Sequence, residues 1–264
     1  MRTSYACRTR VSTFNCAAFV QSACASAIIR LMLHPSLVGA RACVFDAGGT
    51  LIHPDWPRLA ALARETAGRE FEAEEMRRAF GEMLKCAGGQ TPTGRVINQS
   101  GRHWTFRAMY GGLGLDEATC ESLVSGIDRA HSERNVWCLP DQEASRVLEE
   151  LKREGLRLAV ISNTEDGRAS DALETAGLAS YFELIVDSHL VGCKKPDPAI
   201  FRLALERLGV EAGEAAFVGD SYASDALAAR DAGMRAILLD PLGLHPESVC
   251  PRVHGLGDLL RGEV

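Results

Sequence analysis

Four polar residues of the 264-residue chain each stand just beyond a short apolar run. Asp46 closes "ACVFD", Ser162 closes "LAVIS", Lys195 follows "FELIV" within "VGCKKPDPAIF", and Asp220 closes "AAFVGD", with Ser221 and Asp225 after it. At the first of these, Gly48, Gly49 and Thr50 follow the acid almost at once, where the chain must turn sharply. Taken singly, each position is ordinary, since Asp or Ser at a strand end is often a helix cap and Lys-Pro is commonly a solvated turn. Parallel strands, however, place all their carboxyl ends on one edge of the sheet, so the four side chains are expected to converge there. A carboxylate nucleophile, a hydroxyl donor, a cation and a second carboxylate are the groups phosphoryl transfer needs. Two carboxylates and a backbone carbonyl can hold Mg²⁺, which prefers oxygen ligands and keeps other places for water and phosphate. The metal shields the phosphate charge, so that an anionic nucleophile can approach.

The elements that must position these groups alternate along the chain. "ACVFD" (42–46), "LRLAVIS" (156–162), "FELIV" (182–186), "AAFVGD" (215–220) and "RAILL" (235–239) are near-continuous apolar runs, the type expected of strands covered on both faces. Between them lie amphipathic helical stretches. "DQEASRVLEELKREG" repeats apolar residues at Ala144, Val147, Leu148 and Leu151 before Gly155, and "PAIFRLALERLG" puts Ile200, Leu203, Ala204 and Leu208 on one face. Strand, helix, strand in series predicts an α/β fold, a doubly wound parallel sheet. Residues 57–137 break the alternation with helical patterns only, around a polar loop "GGQTPTGRVINQSG", and two proline-bearing hinges flank them, "HPDWP" (53–57) and "WCLP" (137–140). The expected organisation is therefore an α/β core of residues 42–56 and 138–264, with a helical module of residues 57–137 over the strand ends.

Residues 1–41 differ from the rest. The first 45 residues contain no Asp or Glu and are rich in Ser, Ala and Cys. The apolar stretch "VSTFNCAAFV" after the first arginines is interrupted by polar residues, which argues against a secretory signal, and a transit peptide fits the composition better. The preferred expectation is a disordered extension, or a start at Met32. A net charge of −6 offers no general basic field for nucleic acid, and no stretch approaches the ~20 apolar residues of a membrane-spanning helix. Nine scattered cysteines without a paired spacing read as reduced thiols, hence a cytoplasmic protein, a monomer or homodimer.

"FDAGGTL", "VISNT", "GCKKPDPAIF" and "FVGDSYASD" together resemble, in order and spacing, the four motifs of the haloacid dehalogenase-like (HAD) hydrolase superfamily. The helical module is similar to the small helical cap of its phosphoglycolate phosphatase-like and dehalogenase-like branches. The resemblance implies Asp46 as a nucleophile that becomes covalently modified, Ser162 orienting the transferred group, Lys195 steadying the nucleophile, and Asp220 binding Mg²⁺. Asp46 and the Gly48 carbonyl complete the implied metal ligands, and Asp225 supports the site either through a water on the metal or as a partner of Lys195. Asn163, beside Ser162, and Thr50, within reach of the nucleophile's oxygen or the loop, are the implied substrate-binding residues.

One position departs from the family's phosphatases. They read D-x-D-G-T, the second Asp protonating the leaving alcohol and later activating water, and that place is Gly48 here. The loss of such a group is worth about 10²–10⁴-fold in rate. The expectation is a Mg²⁺-dependent phosphatase for a small phosphorylated metabolite, slow on alkyl phosphates, whose rate Gly48→Asp raises. Two alternatives stand beside it: a metal-independent 2-haloacid dehalogenase, whose halide leaves unprotonated, and an impaired enzyme with a binding role. Retention of "GDS" with Asp220 favours the phosphatase. Phosphonate cleavage through a Schiff base would need a lysine in the module, and Lys85 lies on a charged helix face. Arg95, Arg102 and His103 could meet an anionic substrate, with a solvated face the preferred reading; Trp104 and Phe106 read as module core, and Trp56 and Trp137 as hinge aromatics that pack the module or line the entrance.

Overall fold

The apolar runs pair as parallel strands. In the computed structural model, which describes residues 33–87 and 103–260, the strands are β1 Ala42–Phe45, β2 Ile52–Pro54, β3 Trp137–Pro140, β4 Arg157–Ser162, β5 Leu184–Asp187, β6 Ala215–Gly219, β7 Arg235–Leu239 and β8 Arg252–Val253. Six of them form one sheet in the order β5-β4-β1-β6-β7-β8, parallel throughout. The strand order runs outward in both directions from β1, so the edge beyond β1 is the switch point at which ligands bind in open α/β sheets.

The helices are α1 Trp56–Ala67, α2 Ala73–Ala87, α3 Trp104–Gly112, α4 Glu117–Glu133, α5 Ala144–Arg153, α6 Ala169–Thr175, α7 Ser188–Val191, α8 Pro198–Leu208 and α9 Ala228–Asp231. Side chains alternate across the sheet, and each face has its own core. Cys43, Phe45, Leu158, Val160 and Val218 pack with Val147, Leu148 and Leu151 of α5 on one side. Ala42, Val44, Ala159, Ile161 and Phe217 pack with Ile200, Ala204 and Leu208 of α8 on the other. A third cluster belongs to α1–α4, where Leu59, Met76, Phe80, Phe106, Met109, Tyr110, Leu123 and Ile127 enclose one another. The buried Tyr110 hydroxyl finds its acceptor in the Leu59 carbonyl, 2.8 Å away.

Two features differ from the reading of the sequence. The hinges are not loops: β2 and β3 pair antiparallel as a two-stranded ribbon that carries the chain into and out of the helical module. Nor are residues 33–41 disordered, because Leu33 and Leu37 are buried in the sheet's core and the His34 N–H donates to the Leu259 carbonyl at 2.9 Å. Residues 1–32, with the targeting stretches and Met32, lie outside the described residues, as does the polar loop with Arg95 and Arg102. Among the described residues, no helix is long and apolar enough to cross a membrane.

Candidate active site

The strand ends of β1, β4 and β6, with the loop after α7, bring Asp46, Ser162, Asp220 and Lys195 to one cleft of about 500 Å³ between the sheet edge and the helical module. Asp46 follows β1 directly, and its N–H donates to the Val218 carbonyl of β6. Lys195 is 3 % exposed, and its ammonium lies 2.5 Å from Asp46 Oδ1 and 2.7 Å from Asp225 Oδ1. Asp225 comes from a π-helical turn, Tyr222–Leu227, in which the Ser221 carbonyl accepts from the N–H groups of both Asp225 and Ala226. Such turns displace one residue out of helical register and recur at functional sites. The other Asp225 oxygen accepts from the Ser221 N–H at 3.0 Å, so both oxygens are engaged. Asp225 is thus a partner of Lys195, and it also belongs to the acidic group that could hold a metal.

Burial and mutual charge set the protonation of the group. Burial pushes the Asp46 carboxyl up to about 6, against the pull of Lys195 and with the push of Asp225. Burial, then the charges of Asp46 and Asp225, raises Asp220 well above the ordinary carboxylate range. Burial works against the Lys195 ammonium, yet Asp225 and Asp46 outweigh it and hold it protonated. One cation among three acids is short of charge. Oxygen atoms of Asp46, Asp220 and Asp225 all lie within 4.8 Å of one another, a set of hard ligands that a divalent cation fits. Two glycines make the approach possible. A Cβ at Gly49, where φ is +92°, would lie 2.0 Å from Asp220 Oδ2, and one at Gly219 would lie 2.6 Å from Asp225. Among the described residues, no backbone N–H donates to the Gly48 carbonyl, which leaves that oxygen available to a cation.

Three expectations for single residues change. Thr50 is fully buried and its hydroxyl makes no hydrogen bond to the nucleophile's oxygen; the N–H groups of Thr50, Leu51 and Ile52 all close on the Ala47 carbonyl, and this tight turn takes Thr50 away from the cleft wall. Asn163 lines the cleft, but its carboxamide donates to the Lys195 carbonyl and accepts from the Lys195 N–H, each at 2.9 Å, so it fixes the lysine's loop. His103 is not solvated: it is 6 % exposed, stands at φ 55° before α3, and its N–H donates to Glu165 Oε2 at 2.7 Å. Cys43 is fully buried in β1 and Cys193 lies outside the cleft, which leaves both as packing residues. Lys85 also lies outside the cleft wall and donates to the Leu244 carbonyl.

The roof is held by contacts between elements far apart in the chain, which no local pattern marks. His131 of α4 meets Asp166 at 2.9 Å through Nε2, its Nδ1 accepts from the Val136 N–H, and its carbonyl accepts from Arg168 at 2.8 Å. These contacts tie the module to residues 163–168 just after Ser162. Trp137, at the start of β3, packs against Phe80 and Phe106 with ring centroids 5.7 and 5.6 Å apart. The edge of its indole covers Gly48, where a Cβ would lie 3.1 Å from Cζ3 and 3.2 Å from Cε3. A side chain at position 48 therefore needs Trp137 to give by a few tenths of an ångström, so the gain expected from Gly48→Asp depends on whether the ring can shift.

The fold and the cluster define a doubly wound α/β protein with a buried carboxylate-lysine-carboxylate site at its switch point. The haloacid dehalogenase-like hydrolase family model matches residues 40–233, and the chain belongs to that family of hydrolases. Haloacid dehalogenase-like hydrolase domain-containing protein 3 of Bos taurus is 30% identical over 230 residues, 83% of this chain and 90% of that protein. A phosphoserine phosphatase of Thermus thermophilus is 46% identical over 105 residues, 40% of this chain and 42% of that enzyme, so the shared stretch is under half of either. Among solved structures, an L-2-haloacid dehalogenase superposes with a TM-score of 0.58 at 25% identity, over 84% of this chain and 97% of that one.

Proposed function

We propose that the protein is a Mg²⁺-dependent phosphatase of small phosphorylated metabolites. The observation that carries this reading is the placement of Asp220 beside Asp46, in a group of three acids that a single lysine does not neutralise. A dehalogenase has no need of that extra charge, because its substrate brings one carboxylate and a neutral carbon centre.

Asp46, Asp220 and the Gly48 carbonyl would hold the Mg²⁺, which would neutralise phosphate charge so that the Asp46 carboxylate can approach phosphorus. An Asp46 oxygen then bonds to phosphorus as the ester P–O bond breaks and the leaving group departs with the electron pair, so that Asp46 carries the phosphoryl group as an aspartyl-phosphate. Lys195, held by Asp225 and by the Asn163 clamp, keeps the nucleophile's other oxygen in place and balances its charge. Ser162, 6 % exposed at the end of β4, lines the cleft where the transferred group sits. Water releases phosphate and restores the carboxylate. The helical module acts as a cap that excludes bulk water and selects the leaving group.

The test uses purified protein with and without Mg²⁺ on p-nitrophenyl phosphate, acetyl phosphate and 2-chloropropionate, beside Asp46→Asn. Phosphate release that needs both Mg²⁺ and Asp46 supports the reading. Chloride release without metal replaces it with dehalogenation, and inactivity on all three leaves a binding protein.

A further inference from the structure

The indole of Trp137 stands 3.1 Å from where a side chain at position 48 would begin, and this bears on the substrate. We propose that Trp137 restricts the enzyme to phosphate esters whose leaving group departs as a stabilised anion, and that the group it accepts is an aryl oxide resting against the indole. This rests on the phosphatase reading above and narrows it to aryl phosphates.

Three observations carry it. First, a side chain at position 48 meets the Trp137 ring and requires it to give by a few tenths of an ångström, against Phe80 and Phe106, 6 % and 0 % exposed, which pack on it from the module side. Second, three buried groups beside the cleft that could deliver a proton already have partners. Asp225 is bound to Lys195 and Ser221, both ring nitrogens of His131 are engaged by Asp166 and Val136, and His103 meets Asp128 through Nε2 at 3.4 Å. Third, Ile52, Phe80, Leu84 and Trp104 line the cleft with Trp137, an apolar wall that suits a flat ring, although polar groups such as Thr105 and Asn135 line the cleft as well.

The step balances without an acid. An Asp46 oxygen forms its bond to phosphorus as the bond from phosphorus to the aryl oxygen breaks; the electron pair leaves with the aryl oxide, which takes a proton from water. Water then adds to phosphorus, the aspartyl bond breaks, the carboxylate is restored, and inorganic phosphate and one proton pass to solvent. The first step depends on the leaving group and the second does not, so kcat/KM is the quantity to read.

The experiment measures kcat/KM with saturating Mg²⁺ for phenyl phosphates of rising phenol pKa, for acetyl phosphate and for glycerol phosphate. It uses the wild type, Trp137→Leu, Gly48→Asp and the double variant. In the wild type kcat/KM is expected to fall about 10²–10⁴-fold from nitrophenyl to glycerol phosphate, the full effect of an absent acid. Trp137→Leu should lower aryl phosphates about 2- to 10-fold and acetyl phosphate by less, since only the ring loses a stacking partner. Gly48→Asp alone should bring no gain on glycerol phosphate, and the double variant a gain of about tenfold or more. A flat leaving-group dependence that still requires Asp46 overturns the inference and leaves the phosphatase. So does a gain on glycerol phosphate from Gly48→Asp alone, or a preference for acetyl phosphate over every aryl phosphate. Absence of Asp46-dependent phosphate release overturns both. Should the Trp137 variants fail to fold, the wild-type series decides by itself.

Discussion

Replacing Lys195 by methionine removes the one cation of the carboxylate cluster at nearly constant volume. The ammonium lies 2.5 Å from Asp46 and 2.7 Å from Asp225, all within a site almost closed to solvent. Breaking a buried ion pair on one side costs about 3–5 kcal/mol, because the acids left behind are uncompensated. That cost depends on pH, and its sign can be worked out. Asp46 already titrates near 6 with Lys195 pulling it down, so without the lysine it lies higher still. The folded variant then holds protons that the unfolded chain has released above the ordinary carboxylate value of 3.8. Stability is therefore retained below that value and lost as pH rises through the raised one. Urea unfolding in chelator is the assay. At about pH 8 the variant should be less stable than the wild type by about 3–5 kcal/mol, and at about pH 5 by markedly less. A difference under about 1 kcal/mol at the higher pH, or an equal difference at both, would refute the view that this lysine neutralises the cluster.

Other perturbations follow from the same geometry. Mg²⁺ should raise the Tm more at about pH 8 than at about pH 5, since protons compete for Asp46 and Asp220, both raised in the metal-free site; a shift independent of pH would place the metal elsewhere. Gly49→Ala drives a Cβ to 2.0 Å from Asp220 Oδ2 at a backbone angle that favours glycine, and calorimetry should find Mg²⁺ binding lost in whatever fraction folds. Asn163→Ala removes two hydrogen bonds to the Lys195 backbone, worth about 1 kcal/mol each, and should lower kcat with little change in KM, as expected of a group that positions the lysine without touching substrate.

Five of the six strands of the large sheet were legible because their apolar runs are long enough to be covered on both faces, and the polar residue at each end marks the active edge. Asp46, Ser162, Lys195 and Asp220 converge because parallel pairing leaves them no other place. What stayed hidden depends on contacts across long stretches of chain. β2 and β3 are short, carry prolines and pair across more than 80 residues, so each alone reads as a hinge. Two-residue β8 has no pattern of its own. Trp137 was visible as a hinge aromatic, but its position over Gly48 comes from Phe80 and Phe106, which no local spacing connects to either. The burial of His103 has the same origin, in Glu165 and Asp128 from separate elements. Thr50 misled because proximity in sequence to the nucleophile suggested a bond that the tight turn on Ala47 prevents.

The central claim is that Asp46 carries the phosphoryl group. With no side chain at position 48 to activate water, that intermediate should persist. Acid quench of the protein during turnover of p-nitrophenyl phosphate with Mg²⁺, followed by peptide mass spectrometry, should find phosphate on the peptide holding Asp46, and none in Asp46→Asn or in chelator. Phosphate released with Asp46 unlabelled at every quench time, or label on another residue, would contradict the account.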